Sequence, residues 1–331
     1  MSSVSLDRDD VQARRPSTPV ALSRVGVTGV EKVIRIDAAG GGGQLFYSEL
    51  ECFVDLDADQ KGAHMSRFEE TINEAIEEVV LSEAFKAETL AAHIAERVRE
   101  RQGALRAEVT VVARYPEHKR TPVSGELTQE IYTLFGSAVA SASGTRRLVG
   151  VQTQGMTACP CAQEMTAESS RGALADEGLD DAAIERVLDR VPPATHNQRG
   201  VGTLHLGCAE GCSDPIEASA LLHIVESSMS SEIYELLKRP DEAAVVEKAH
   251  RRPRFVEDSV REMVRMGVEE LARFGDDAFL MARQENLETI HKHNVVAERY
   301  GSIGELRREV VSGERAQRHT TMRDWLEAAP A

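Results

Sequence analysis

Lysine is scarce in this chain: only seven of the 39 basic residues are lysines, at positions 32, 61, 86, 119, 238, 248 and 292, and the rest are arginine. Acidic residues outnumber basic ones by 55 to 39, a formal charge of −16. A nucleic-acid binder needs a basic face, so that class of partner is excluded. Aromatics make up 4% of the residues, with a single tryptophan, so any core must be mainly aliphatic. Nothing approaches the roughly 20 apolar residues that cross a bilayer. The polar start, Met1 to Asp10, lacks the apolar stretch of a secretion signal. A cytoplasmic protein with no membrane partner is expected. Five cysteines, an odd number with one close pair, fit metal or catalytic thiols better than a disulfide framework. The acidic, lysine-poor balance reads as a solvated surface suited to high salt. An anionic substrate would then need a local cluster of Arg, Lys or His.

What is present begins to organise after residue 24. Residues 1–24 are polar and aperiodic and are expected to be a disordered leader. Val25–Ala38 and Gln44–Leu56 alternate apolar and polar side chains around Gly40–Gly43, which predicts a hairpin, although the alternation slips at Val30 to Val33. Ser66 with Glu69 predicts a capping box opening a helix over Phe68–Val80, and a second helix follows over Ala84–Arg101. Strands are predicted over Arg106–Tyr115, Glu130–Ser143 and Arg146–Thr157. The order ββααβββ predicts an α+β fold, an antiparallel sheet with helices on one face. Residues 164–192 read as a polar helical insertion. A strand over Gly202–Gly207 leads into a glycine-containing turn, Cys208–Cys212. Helices are predicted over 215–227, 229–238, 241–250 and 255–273, the last with an apolar stripe from Val256 to Leu271. Strands over Phe279–Ile290 and Val295–Ser302 close the pattern.

The chemistry concentrates around Cys159-Pro160-Cys161. Pro160 argues against a helix through this point. An extended backbone would turn both thiols the same way, able to bind metal or attack carbon. Two small buried cysteines are the plainer reading. Catalytic metal sites take three protein ligands and keep one position for water. The candidates besides Cys159 are His196, Glu242 and the pair Glu288 and His291. Each has a structural reading too: Glu242 and Glu257 open helices, where the dipole favours carboxylates, while His196 fits a loop and His291 a strand edge. Lys61, His64 and Arg67 cluster where the first helix begins and backbone N–H groups attract anions, or form an ordinary charged turn. A rival site, a structural zinc held by Cys159, Cys161, Cys208 and Cys212, lacks the usual Cys-x2-Cys spacing.

Several motifs occur together and in order: Lys61-Gly-Ala-His64-Met-Ser-Arg-Phe68, Met156-Thr-Ala-Cys159-Pro-Cys161, His196-Asn-Gln-Arg199, Ile233-Tyr-x3-Lys238-Arg-Pro-Asp-Glu242, Phe255-Val-Glu-Asp258 and Glu288-Thr-Ile-His291. Over residues 25 to 312 the chain thereby resembles the type IB GTP cyclohydrolases, and within them an archaeal branch. The resemblance implies a tunnelling fold in two modules, 25–158 and 159–312, with an insertion at 162–195 and a tail at 313–331. It also implies a homo-oligomeric barrel, dimer or tetramer, with active sites at subunit interfaces. The reaction implied is hydrolysis of the GTP imidazole ring, with loss of C8 as formate and of pyrophosphate, to 7,8-dihydroneopterin 2',3'-cyclic phosphate, the first step towards tetrahydromethanopterin or folate pterins. One Fe(II) per subunit, replaceable by zinc or manganese, would be held by Cys159, Glu242 and His291. His196 would transfer protons, Glu288 would lie by the metal's water, and Glu257 would hold the guanine edge. Lys61, His64, Arg67 and Arg199 are the expected triphosphate contacts. The alternatives are a tunnelling-fold enzyme using a thiol nucleophile on a pterin or deazapurine, and a zinc-stapled structural protein.

Overall fold

The computed structural model describes residues 11–37, 43–80, 86–208, 216–314, 316 and 319–328. Contacts divide the chain into two compact units, Met1–Ala113 with Phe135–Leu148 and Leu326–Ala331, and Arg114–Leu134 with Val149–Trp325.

In the first unit, β1 (Leu22–Asp37) and β2 (Gly43–Leu56) form the expected antiparallel hairpin, its turn lying outside the described residues. The slip in alternation has a local cause. Register shifts between Val27 and Val30, where Gly29 takes φ +66°, a conformation that favours glycine. Two helices follow, α1 (Met65–Val80) and α2 (Ala87–Gln102), then β3 (Arg106–Arg120), β4 (Leu127–Ser141) and β5 (Gly144–Ala158), whose residues are shared between the units. Strand order is β1-β2-β3-β4-β5. Alternation along β2 and β3 puts Leu50, Cys52, Val54, Val109 and Val111 on one face. Phe68 and Ile72 of α1 and Leu90, Ile94 and Val98 of α2 cover it at helical spacing, forming one buried cluster. Helix α1 starts three residues before the expected Phe68. Ser66 and Glu69 are therefore inside it and form no capping box. Instead the Gln102 carboxamide holds His64, accepting its N–H at 3.3 Å and donating to its carbonyl at 2.9 Å. Of the expected leader, residues 1–10 lie outside the described residues. Residues 11–21 are irregular, and the Lys61 N–H donates to the carbonyls of Gln12 and Arg14.

The second unit adds α3 (Pro160–Asp176), α4 (Asp181–Arg190), β6 (Asn197–Cys208), α5 (Ala218–Ser228), β7 (Ser231–Glu232), α6 (Arg239–Arg251), α7 (Val256–Glu270), β8 (Phe279–Leu287), β9 (Val295–Ser302) and α8 (Ile303–Ser312). Strand order is β3-β4-β5-β6-β8-β9, with β7 against β5. Strands β6 and β8 pair antiparallel from Arg199↔Leu287 to Gly207↔Phe279, and β8 and β9 from Phe279↔Ser302 to Asn286↔Val295. Helices α5 and α7 lie against this sheet, burying Leu221, Ile224 and Met263 with Leu204 and Leu280. The approach is close: a Cβ on Gly202 would stand 2.4 Å from Val225. The helix expected over 229–238 is absent. Ser231 and Glu232 pair with Met156 and Gly155 instead, and Met229 is fully buried against Gly155. Tertiary pairing overrides the local helical pattern there. The expected tail carries a short helix, α9 (Met322–Glu327), whose Trp325 is buried, lies tilted against the Phe279 ring with centroids 5.8 Å apart and donates Nε1–H to the Asp277 carbonyl at 2.8 Å. No helix among the described residues is long and apolar enough to cross a membrane.

Candidate active site

Three strand ends of the second unit supply the chemistry. Cys159 follows β5 and is the N-cap of α3, with Pro160 in the first helical position, where its missing N–H costs nothing. The expectation of an extended Cys-Pro-Cys with both thiols on one side is therefore wrong. Cys161 sits exposed in the first turn, whereas Cys159 Sγ accepts the Ala162 N–H at 3.5 Å, facing the positive end of the helix. The Cys159 N–H donates to the His196 carbonyl at 3.1 Å, and the Thr195 hydroxyl donates to the Cys159 carbonyl at 2.6 Å. These bonds join the end of β5 to the start of β6.

The β6–β8 pairing brings in the third end. Past Arg199↔Leu287, the Thr289 hydroxyl donates to the Asn197 carbonyl at 3.1 Å. His196 Nδ1 then lies 3.8 Å from Glu288 Oε2, with both side chains largely buried. At 3.8 Å this is no hydrogen bond. Nδ1–H donates to Gln198 Oε1 at 3.1 Å instead, which leaves the lone pair on Nε2. Glu288 Oε2 is buried and has no hydrogen-bond partner among the described residues. A buried carboxylate oxygen without a donor is costly, so this one marks a position for a cation or a ligand N–H.

A cleft of about 270 Å³ collects Cys159, His196, Glu257, Glu288 and His291, five of the expected residues. Glu257 enters from the first turn of α7, and His291 from the β8–β9 loop, its ring stacked on His293 with centroids 5.3 Å apart. Glu242 is exposed in the first turn of α6 and does not line this cleft. Arg199 is exposed, since the pleat of β6 turns it away from buried Gln198. Lys61, His64 and Arg67 belong to the first unit, at the start of α1.

Four polar lining residues were not named as candidates from the sequence: Gln198, Arg254, Asn286 and His293. Gln198, Asn286 and His293 lie in or beside the recognised motifs, so the motifs' neighbours were the available signal. Arg254 is held by three contacts. Its N–H donates to the Ala158 carbonyl and its Nη1 to the Ser228 carbonyl, both at 2.9 Å, and Nη2 lies 3.5 Å from Glu262. Burial, then the charge of Arg252, pushes its pKa below the ordinary arginine value, against the pull of Glu262.

The cleft offers one thiol, three imidazoles and two carboxylates, a donor set suited to a divalent first-row metal such as Fe(II) or zinc. The buried bare oxygen of Glu288 suits a cation as well. In kind, the residues fit. Among the described residues, however, no three His, Cys, Asp or Glu side chains stand close enough to hold an ion as they are arranged. The rival four-cysteine zinc site is not supported: Cys208 is disulfide-bonded, and Cys212 lies outside the described residues.

Comparison with known proteins agrees with the motifs. A family model described as type I GTP cyclohydrolase folE2 matches residues 9–297. The chain is 44% identical over 306 residues to GTP cyclohydrolase MptA of Methanothermobacter thermautotrophicus, covering 91% of this chain and 95% of that protein. It is 41% identical over 302 residues to GTP cyclohydrolase MptA of Haloferax volcanii, covering 91% and 97%. Among solved structures, the uricase of Arthrobacter globiformis superposes with a TM-score of 0.50 at 8% identity, covering 91% of this chain and 98% of that one. A hyper-thermostable uricase mutant gives 0.51, also at 8% identity, covering 90% and 94%. At such identities the likeness concerns the fold alone, and that fold is the expected tunnelling fold. These matches do not favour the thiol-nucleophile or structural-zinc alternatives.

Proposed function

The chain belongs to the type I GTP cyclohydrolase family, and we propose that the cleft of its second unit is where GTP is opened. The observation that carries this reading is the convergence of Cys159, His196, Glu257, Glu288 and His291 in one cleft. The enzyme is a GTP cyclohydrolase of pterin biosynthesis. Its proposed product is 7,8-dihydroneopterin 2',3'-cyclic phosphate, formed with release of formate and pyrophosphate.

Each residue's task follows from its chemistry. Glu257 is an acceptor-only carboxylate, matched to the two N–H groups on the guanine edge. His196, its Nδ1–H committed to Gln198, presents Nε2 to take and return protons at the imidazole nitrogens of the substrate. Glu288 Oε2 accepts a hydrogen bond from the attacking water and orients it. Cys159 and His291 would hold Fe(II), or zinc or manganese in its place, with Glu242 as the third donor. Glu242 is exposed and outside this cleft, so in a homo-oligomer it would serve the cleft of a neighbouring copy. When bound, the ion supplies Lewis acidity, which makes water nucleophilic near neutral pH. Lys61, His64, Arg67 and Arg199 are the proposed triphosphate contacts.

The test is anaerobic incubation of the purified protein with GTP and Fe(II), reading formate and the fluorescence of the oxidised pterin. Turnover that a chelator stops and Fe(II) restores is expected. Metal-independent turnover, or none with iron-loaded protein, would overturn the proposal.

A further inference from the structure

Beneath the cleft, the inward face of the β6–β8 pair changes character. Along β8 it runs Leu280, Ala282, Gln284, Asn286, and along β6 Leu206, Leu204, Gly202, Gly200, Gln198, all buried. Aliphatic side chains thus give way to carboxamides and glycines at the end nearest Glu288. Gln284 is fully buried and Asn286 is 2% exposed. Gln284 Nε2 donates to Asn286 Oδ1 at 3.2 Å. Gln284 Oε1 is buried and has no hydrogen-bond partner among the described residues.

The opposite strand makes room for this pair. Gly202 is the register partner of Gln284, and Gly200 that of Asn286. A Cβ on Gly200 would stand 2.3 Å from Gln284 Nε2, and one on Gly202 would stand 3.0 Å from Gln284 Oε1. Any larger residue at either position would displace the carboxamide. For packing alone this is a poor arrangement, because a half-satisfied buried amide is less favourable than an aliphatic side chain of the same size. Its effect falls on Asn286. Gln284 takes up one lone pair of Oδ1 and so fixes which end of the Asn286 amide faces it, while no hydrogen bond among the described residues engages the Nδ2 amide, which Asn286 can offer to the cleft it lines.

We propose that Asn286 contacts the substrate, donating its amide N–H to an acceptor atom of the purine ring, and that Gln284 is a positioning residue acting only through Asn286. This deepens the functional reading above and rests on it. Glu257 would take the donors of the guanine edge and Asn286 an acceptor, so the cleft would read both kinds of group on one base.

The test is steady-state kinetics with GTP on the iron-loaded enzyme, together with thermal unfolding. Asn286→Ala should raise KM about tenfold while kcat stays within about threefold, the signature of a lost binding hydrogen bond. Asn286→Asp keeps the size but cannot donate from a carboxylate, and should raise KM as much. Gln284→Met should raise KM in the same direction while leaving the unfolding temperature unchanged or higher. The double variant Asn286→Ala with Gln284→Met should match Asn286→Ala alone, since Gln284 then has nothing to hold. A Gln284→Met protein with wild-type KM and a lower unfolding temperature would show a merely structural role and overturn the proposal. Effects that multiply in the double variant would overturn it too, as would a wild-type KM in Asn286→Asp; the latter remains decisive if Gln284→Met does not fold. Failure of the unsubstituted enzyme to turn over GTP would instead sink the functional reading itself.

Discussion

Cys159 and Cys161 are two residues apart and chemically alike, yet their surroundings differ completely. Cys159 is a helix N-cap whose sulfur meets a backbone N–H and lines the cleft with His196 and Glu288. Cys161 is exposed in the first turn of the same helix and does not line it. Substituting each with serine separates the two positions. Cys159→Ser replaces a soft sulfur donor with a weakly acidic hydroxyl, and should lose bound metal and at least about a hundredfold in turnover. Cys161→Ser should keep both within about twofold, since exposed substitutions rarely matter. Metal analysis of the two purified variants, alongside formate release, checks this. Metal retained by Cys159→Ser would remove Cys159 from the ligand set.

At the level of elements, the segments that were legible are those whose side chains keep one period. The β1–β2 hairpin, helices α2 and α7 and the strands β3 to β5 carry clear alternation or a helical stripe, and the interruption at Val30 traces to the turn of Gly29. Pro160 was misread because proline disfavours a helix interior and favours a helix start, and the residue alone does not say which applies. Residues 229–238 look helical in isolation, and their pairing with β5, some 75 positions earlier, leaves no local trace. The motif residues of the site could be named, but their convergence could not. His196 and Glu288 meet through strand pairing across 92 positions, and whether Gln284 and Asn286 face inward depends on that same pairing. Asp241 illustrates how such distant segments are fastened. It is fully buried and accepts the N–H groups of Val123, Ser124 and Lys238 at 2.8–3.0 Å and the Ser124 hydroxyl at 2.7 Å. Burial works to raise its pKa, but these hydrogen bonds, those of Ser124 foremost, outweigh it and hold the carboxyl well below the usual carboxylate range. Asp241→Ala leaves four donors without their acceptor. It should lower the urea unfolding midpoint by on the order of 1 M, whereas a change at exposed Glu242 should barely move it.

For the whole molecule, the governing quantity is the charge of −16. Two electrostatic contributions respond to salt with opposite sign. Close ion pairs such as Arg15 with Asp59, at 2.7 Å and mostly exposed, lose what attraction they have, which is about 0–1 kcal/mol each. The excess of carboxylates repels over longer distances, and screening relieves that first, because the Debye length falls from about 10 Å at 0.1 M to about 3 Å at 1 M. With acidic residues outnumbering basic ones, relief should win. The thermal midpoint is therefore expected to rise by several degrees between 0.05 and 1 M KCl and then level off, since little screening remains to be gained. The shape of the curve separates this from strengthened apolar burial, which would keep growing with salt and more steeply for sulfate than for chloride. A midpoint that falls with KCl would mean that the local ion pairs outweigh the excess charge, and the acidic surface would then not be an adaptation to salt.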